Sequence, residues 1–185
     1  MAFIEVIHED SAEGELKEIY DNLIETRGKI AEVHKIQSLN PESIVNHMDL
    51  YMTIMFGRSP LKRVQREIIA VVVSKANNCE YCQKHHAEAV NHYWKDENKT
   101  NQLKKDYTGL NLKSLDMLLC DYAWELTKNP GNETEKTFIE PLKNEGLDDR
   151  AILDATLVIA YFNFVNRIVL SLGVHLEESV GGFKY

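Results

Sequence analysis

A chain of 185 residues is long enough for one domain with its own core, or for two small packed repeats. Its 44% hydrophobic and 27% charged residues are a globular balance, and a net charge of −8 argues against nucleic acid or an anionic membrane surface as partner. No apolar run approaches the roughly 20 residues that span a bilayer. The acids of the opening MAFIEVIHED do not make a signal peptide, and three cysteines (Cys79, Cys82, Cys120) are too few for a secreted disulfide framework, so a reducing cytoplasm is expected.

In chain order, residues 11–27 place Leu16, Ile19, Tyr20, Leu23 and Ile24 on one helical stripe, with Asp10 or Ser11 as N-cap and Gly28 as the stop. A short segment follows near 31–39. Pro41 then opens a helix over 41–56, ended by Gly57. The run 60–76, PLKRVQREIIAVVVSKA, is amphipathic at first and then nearly all apolar; its length and early helix formers predict a buried helix rather than a strand. Asn77-Asn78 marks a turn, after which a helix begins near Cys79 and runs to about Trp94. Residues 95–111 are polar and read as a loop with one helical turn. Helices over 113–128 and 133–144 flank the break at Asn129-Pro130-Gly131. The last helical region, 148–173, is apolar around Ile152–Val169, with Asn163 or Asn166 as places to kink, and Gly181-Gly182 leads into a tail. No segment alternates with period two for long, so the fold is expected to be all-α, a single domain over 1–185.

An echo at an offset of 86 residues pairs Leu61, Val72 and Asn77 with Leu147, Val158 and Asn163. It suggests a duplicated helix-hairpin whose second copy, 147–173, carries Val165 and Ile168 where the first has its cysteines.

The segment 67–86, EIIAVVVSKANNCEYCQKHH, gathers the chemistry. Cys79 and Cys82, at i and i+3 on a helix start, lie on one face within reach of a disulfide, where unpaired N–H groups favour thiolate. His86, one turn after Cys82, is placed to take its proton. Glu67 would return toward the cysteines across a helix hairpin, and partial burial would raise its pKa toward a general base. The bland readings are a surface acid for Glu67 and a solvated helix position for His86. A lone CxxC is either a redox pair or half a metal site, with His86 and Glu67 able to complete a zinc set, although no second Cys/His knuckle appears. His85 and His92 read as solvated or hydrogen-bonded helix residues, and Cys120 as a buried small hydrophobe. Tyr81, between the cysteines, either donates a hydrogen bond or packs. The pair should sit at the floor of a cleft walled by 68–76 and by residues near Tyr161–Arg167.

The spacing of Glu67, Cys79, Cys82 and His86 resembles the alkylhydroperoxidase D family, within the carboxymuconolactone decarboxylase-like superfamily, and most of all its peroxidase-related branch. Further stretches agree: Arg27–Lys29, Ser38–Glu42, Leu50–Leu61, Arg66–His86 and Asn166–Val174. One departure is Tyr81, where the best-known members carry His. The resemblance implies an alkylhydroperoxidase D-like helical bundle with a duplicated unit, trimers or hexamers, and a cysteine peroxidase activity. On this basis the expected function is reduction of small alkyl hydroperoxides through the Cys79–Cys82 pair, without bound cofactor. Cys82 would attack, Cys79 would resolve, Glu67 and His86 would assist, and a lipoyl- or thioredoxin-type dithiol would reset the disulfide. The competing expectation is a metal-binding or redox-sensing oligomer without turnover.

Overall fold

The computed structural model describes residues 2–131, 135–177 and 182, and every regular element among them is helical. In chain order these are α1 (Gly14–Arg27), α2 (Glu32–Lys35), α3 (Pro41–Tyr51), α4 (Arg63–Ala76), α5 (Glu80–Trp94), α6 (Glu97–Lys105), α7 (Ser114–Lys128), α8 (Glu140–Asn144) and α9 (Asp149–Leu172). A π turn, Met52–Phe56, extends α3, and another, Glu135–Ile139, precedes α8.

Helix α4 is the hub. It packs on α5, α7 and α9, so its apolar half has no face left for water: Ile68–Val73 are at most 3% exposed. The long apolar run is therefore the central helix of the bundle. Two of its polar side chains anchor neighbouring segments. Arg66 Nη1 donates to the carbonyls of Ile54 (2.9 Å) and Gly57 (3.1 Å), fastening the π turn. Gln65 Nε2 donates to Asp116 of α7 at 2.7 Å.

The turn between α4 and α5 is made by its backbone. Asn78 sits in the left-handed region at φ 58°. Cys79 N donates to Ser74 O at 2.8 Å and Asn78 N to Lys75 O at 3.0 Å, the two bonds of a Schellman ending. An asparagine fills the position usually given to glycine, because its short side chain tolerates that conformation. The chain then re-enters helix at once, with Cys79 as the N-cap of α5.

Several sequence expectations are corrected. Helix α1 starts at Gly14 rather than beside Asp10 or Ser11, which lie in a 3-10 turn, Glu9–Ser11. The helix expected over 41–56 is α-helical only to Tyr51. The polar stretch 95–111 contains a true helix, α6, capped by Asp96 accepting from Lys99 N (3.0 Å) and seated through buried Thr100 and Leu103. The helix expected from 133 begins outside the described residues, and Gly181 of the tail lies outside them as well.

The largest correction concerns the second repeat. The expected turn at Asn163 is absent, because α9 runs unbroken from Asp149 to Leu172. Asn163 and Asn166 do not break it because their amides are satisfied sideways: Asn77 Nδ2 donates to both Oδ1 atoms at 3.0 Å, Asn166 Nδ2 donates to Ser74 Oγ at 3.2 Å, and Asn163 Nδ2 to Thr127 Oγ1 at 3.1 Å. The echoed asparagines thus meet each other across α4 and α9. By length and composition α9 is also able to cross a membrane, although polar residues interrupt its apolar run. Here it lies against α4 and α7 as a core helix and buries Asp154 and Asn166.

Candidate active site

Cys79 and Cys82 are both free thiols and both buried, 1% and 3% exposed. Their arrangement follows from the hairpin. Cys79 is the N-cap of α5, and the Cys82 thiol, then the backbone N–H groups of Cys82 and Tyr81 and the Asn166 amide, all favour its thiolate. These outweigh burial and hold its thiol below the ordinary range. Cys82 is pushed the other way. The neighbouring Cys79 sulfur, followed by desolvation, favours its protonated form, so its thiol lies well above the usual value.

Glu67 does return across the hairpin. Its Oε2 lies 2.6 Å from His86 Nδ1, and its Oε1 accepts from Arg63 Nε at 2.8 Å. Arg63 is itself seated on the Phe56 ring, 3.4 Å from its centroid. Burial alone would raise the Glu67 carboxyl, but His86 and then Arg63 more than offset it, and the pKa lies below the ordinary value. This overturns the expectation of a raised pKa. Glu67 is an ionised partner that fixes His86 with its proton on Nδ1, leaving Nε2 to handle protons. Phe162 closes the ring from the α9 side at 4.4 Å, edge to face.

Tyr81 does donate a hydrogen bond. Its hydroxyl lies 2.6 Å from Glu177 Oε1, which also accepts Glu32 N at 2.9 Å, while Glu177 Oε2 pairs with His85 Nε2 at 2.7 Å. Burial would raise Glu177, but the bonds from His85, Tyr81 and Glu32 bring it down to about 2. Sequence reading missed Glu177 because it stands beyond the last helix with no motif around it. It also missed Asn166, whose amide favours thiolate at both cysteines, although an amide inside an apolar helix was the available signal. Cys120 is fully buried, with a pKa raised chiefly by desolvation, as expected of a core residue.

A cavity of about 420 Å³ opens beside the pair, with Cys82, Glu67, His86, Tyr161 and Phe162 in its wall. Of the predicted walls, the α9 side is present, but α4 contributes only Arg63 and Glu67; the stretch 68–76 is buried behind. The opposite wall comes from α2 and α3, with His34, His47 and Tyr51. His85 and His92 also line this cavity; His85 is hydrogen-bonded to Glu177 and His92 is exposed, as their helix positions led one to expect. Among the described residues no three His, Cys, Asp or Glu side chains gather to hold a metal ion.

A helical bundle with a buried CxxC at a helix N-terminus, backed by a carboxylate–imidazole pair, defines a class of thiol proteins. Residues 46–93, from α3 to nearly the end of α5, match the carboxymuconolactone decarboxylase family. No curated protein matches the chain. Among solved structures, an uncharacterized peroxidase-related protein from Silicibacter sp. TM1040 is similar at 26% identity and TM-score 0.81, over 95% of this chain and 88% of its own. An alkylhydroperoxidase D core, a peroxidase-related protein from Ralstonia eutropha JMP134, is similar at 20% identity and TM-score 0.85, over 96% and 93%. The debrominase Bmp8 is similar at 17% identity and TM-score 0.76, over 95% and 92%, and a cysteine-to-alanine variant of it is known in complex with 2,3,4-tribromopyrrole. The fold is that of these alkylhydroperoxidase D-core structures, and the segment from α3 to α5 carries the match to the carboxymuconolactone decarboxylase family.

Proposed function

We propose that the protein is a thiol-dependent reductase of small hydroperoxides that works through Cys79 and Cys82. The observation that carries this reading is Cys82 in the wall of a cavity, with Cys79 buried beside it one turn away and the Glu67-held His86 lining the same space. Cys82 attacks the terminal oxygen of the hydroperoxide, and its proton passes by way of Cys79 to the alkoxide oxygen that leaves. The S–O bond forms, the O–O bond breaks, and Cys82–SH plus ROOH become Cys82–SOH plus ROH. Cys79 then attacks the Cys82 sulfur and releases water, with His86 Nε2 as the proton carrier. A dithiol of the lipoyl or thioredoxin type reduces the disulfide by exchange. With both sulfurs buried, a slender lipoyl-type arm suits the cavity better than a folded partner does, and resetting is the slow step. The protein itself is expected to act in the cytoplasm as a homo-oligomer.

The test is a thiol titration before and after cumene hydroperoxide, with mass spectrometry to locate the product. One disulfide between Cys79 and Cys82 is expected, with turnover lost in Cys79→Ser and Cys82→Ser and kept in Cys120→Ser. Full activity in the Cys79/Cys82 double variant ends the reading. The debrominase likeness and the aromatic wall of Tyr51, Tyr161 and Phe162 give the same dithiol a second substrate class to assay, small haloaromatic rings. The metal-binding alternative is checked by metal analysis: stoichiometric zinc, removable only with unfolding, would replace the peroxidase reading.

A further inference from the structure

The cavity has a second polar element that the thiol relay leaves unused, and its hydrogen atoms can be assigned by following donors and acceptors. Gln37 Nε2 lies 2.7 Å from the Val33 carbonyl and 2.8 Å from His47 Nδ1. A carbonyl only accepts, so this end of the amide is the NH₂ group, and its second hydrogen goes to His47 Nδ1. That nitrogen is therefore bare. His47 is buried, and burial brings its pKa down to about 4, so at neutral pH it carries one proton, on Nε2. Nε2 is 2.7 Å from the hydroxyl of Tyr161. Tyr161 must then accept this bond and keep its own O–H to give. No second partner holds that hydroxyl among the described residues, although the residue is only 5% exposed and lines the cavity. Its neighbour Phe162 packs on Tyr161 at 5.1 Å and on His86 at 4.4 Å, so the hydroxyl belongs to the same chamber as Cys82 and His86.

We propose that Tyr161 is a catalytic residue, donating a hydrogen bond to the oxygen that leaves when Cys82 attacks a hydroperoxide, and that Gln37 and His47 are the positioning residues that aim it. This rests on the peroxidase reading. As the O–O bond breaks, its electron pair collects on the alkyl-bearing oxygen. The proton lost by the Cys82 thiol ends on that oxygen, and Tyr161 keeps its own. Its part is to stabilise the charge while it develops, from a position set before substrate arrives. The help matters most for an alkoxide, a poor leaving group, and least for a carboxylate.

The experiment uses the full-length, pre-reduced protein in single turnover with three reagents: tert-butyl hydroperoxide, peracetic acid and iodoacetamide. Tyr161→Phe keeps the ring and its packing. It should slow the reaction with tert-butyl hydroperoxide on the order of 10²-fold, slow peracetic acid far less, and leave alkylation by iodoacetamide unchanged. His47→Leu should show the same leaving-group dependence at smaller size, and His47→Gln, whose amide can still donate to Tyr161, should recover most of the rate. No slowing in Tyr161→Phe, or equal slowing with all three reagents, overturns the assignment while the peroxidase reading stands. A wild-type protein inert to both peroxides overturns the peroxidase reading, and Tyr161 with it.

Discussion

Glu67 does its work at the residue scale by staying charged where charge is costly, fully buried between His86 and Arg63. Glu67→Gln removes the charge and the preference of His86 for a proton on Nδ1. The reaction of Cys82 with hydroperoxide at neutral pH is expected to fall by about 10²-fold, at the low end for loss of a proton-handling group, with an unchanged circular dichroism spectrum. An unaltered rate across pH 6–9 would count against the pair. The buried histidines set a second prediction, on stability. His34 and His47 both have folded pKa values below the ordinary 6.5, His47 at about 4. The unfolded chain therefore takes up protons that the native protein refuses, and stability drains away as pH falls from about 6.5 toward 4, by up to about 1.4 kcal/mol per pH unit for each histidine. Glu177, lowered from 4.5 to about 2, adds a loss in the same direction at still lower pH. Urea midpoints measured from pH 7.5 to 4.5 should fall steadily, and less steeply in His47→Gln. A flat profile would show that these rings are not buried as described.

At the scale of elements, the α4–α5 hairpin is what turns four residues spread over twenty positions into one site. Its hinge is the left-handed Asn78. Asn78→Gly should be neutral or slightly favourable, because glycine takes this conformation without strain. Asn78→Val should cost about 1–2 kcal/mol in urea unfolding. It should also lower the rate at which Cys79 is alkylated, since tilting the start of α5 moves the N–H groups off its sulfur. Equal stability of the Gly and Val variants would mean that the turn relaxes elsewhere. Helix α9 contributes the other side: Asn166 favours thiolate at the cysteines, Phe162 covers His86 and Tyr161 lines the cavity, three roles from one stretch of two turns.

At the scale of the whole molecule, the expectation of self-association changes its footing. Two stretches are apolar enough to invite a second subunit, 68–73 and 153–165, and the first is consumed inside the chain. The other keeps a face outside: Leu153, Leu157 and Phe164 of α9 are 53%, 40% and 47% exposed. Side chains of this size on one helix face are commonly covered by another subunit. A homo-oligomer, trimeric or a multiple of it, is therefore expected by light scattering at micromolar concentration, and Leu157→Glu should shift it to smaller species without unfolding it. A wild-type monomer at that concentration would refute the expectation.

Local periodicity was sufficient for much of the architecture. The stripe of Leu16, Tyr20 and Leu23, the Pro41 start, the Asn77-Asn78 turn and the Cys79 helix start are each dictated within a few neighbouring residues, and each is found where the sequence places it. The pairing of Glu67 with the cysteine helix was legible for the same reason, since a tight hairpin leaves little freedom in what faces what. Signals that depend on distant partners were not legible. Helix α6 looks polar until Thr100 and Leu103 have something to pack on, and α9 looks breakable until Asn77, Ser74 and Thr127 satisfy its asparagines. The sign of the Glu67 shift needed Arg63 and His86 in contact, and the opposite shifts of Cys79 and Cys82 needed the depth at which the bundle buries Cys82. The sequence by itself determined which residues could do thiol chemistry, because that is a matter of composition and short-range geometry. Only the tertiary structure decided which of them are charged, which sulfur meets the cavity and which hydroxyl is left free to donate, because desolvation and hydrogen bonding are set by whatever the fold brings alongside.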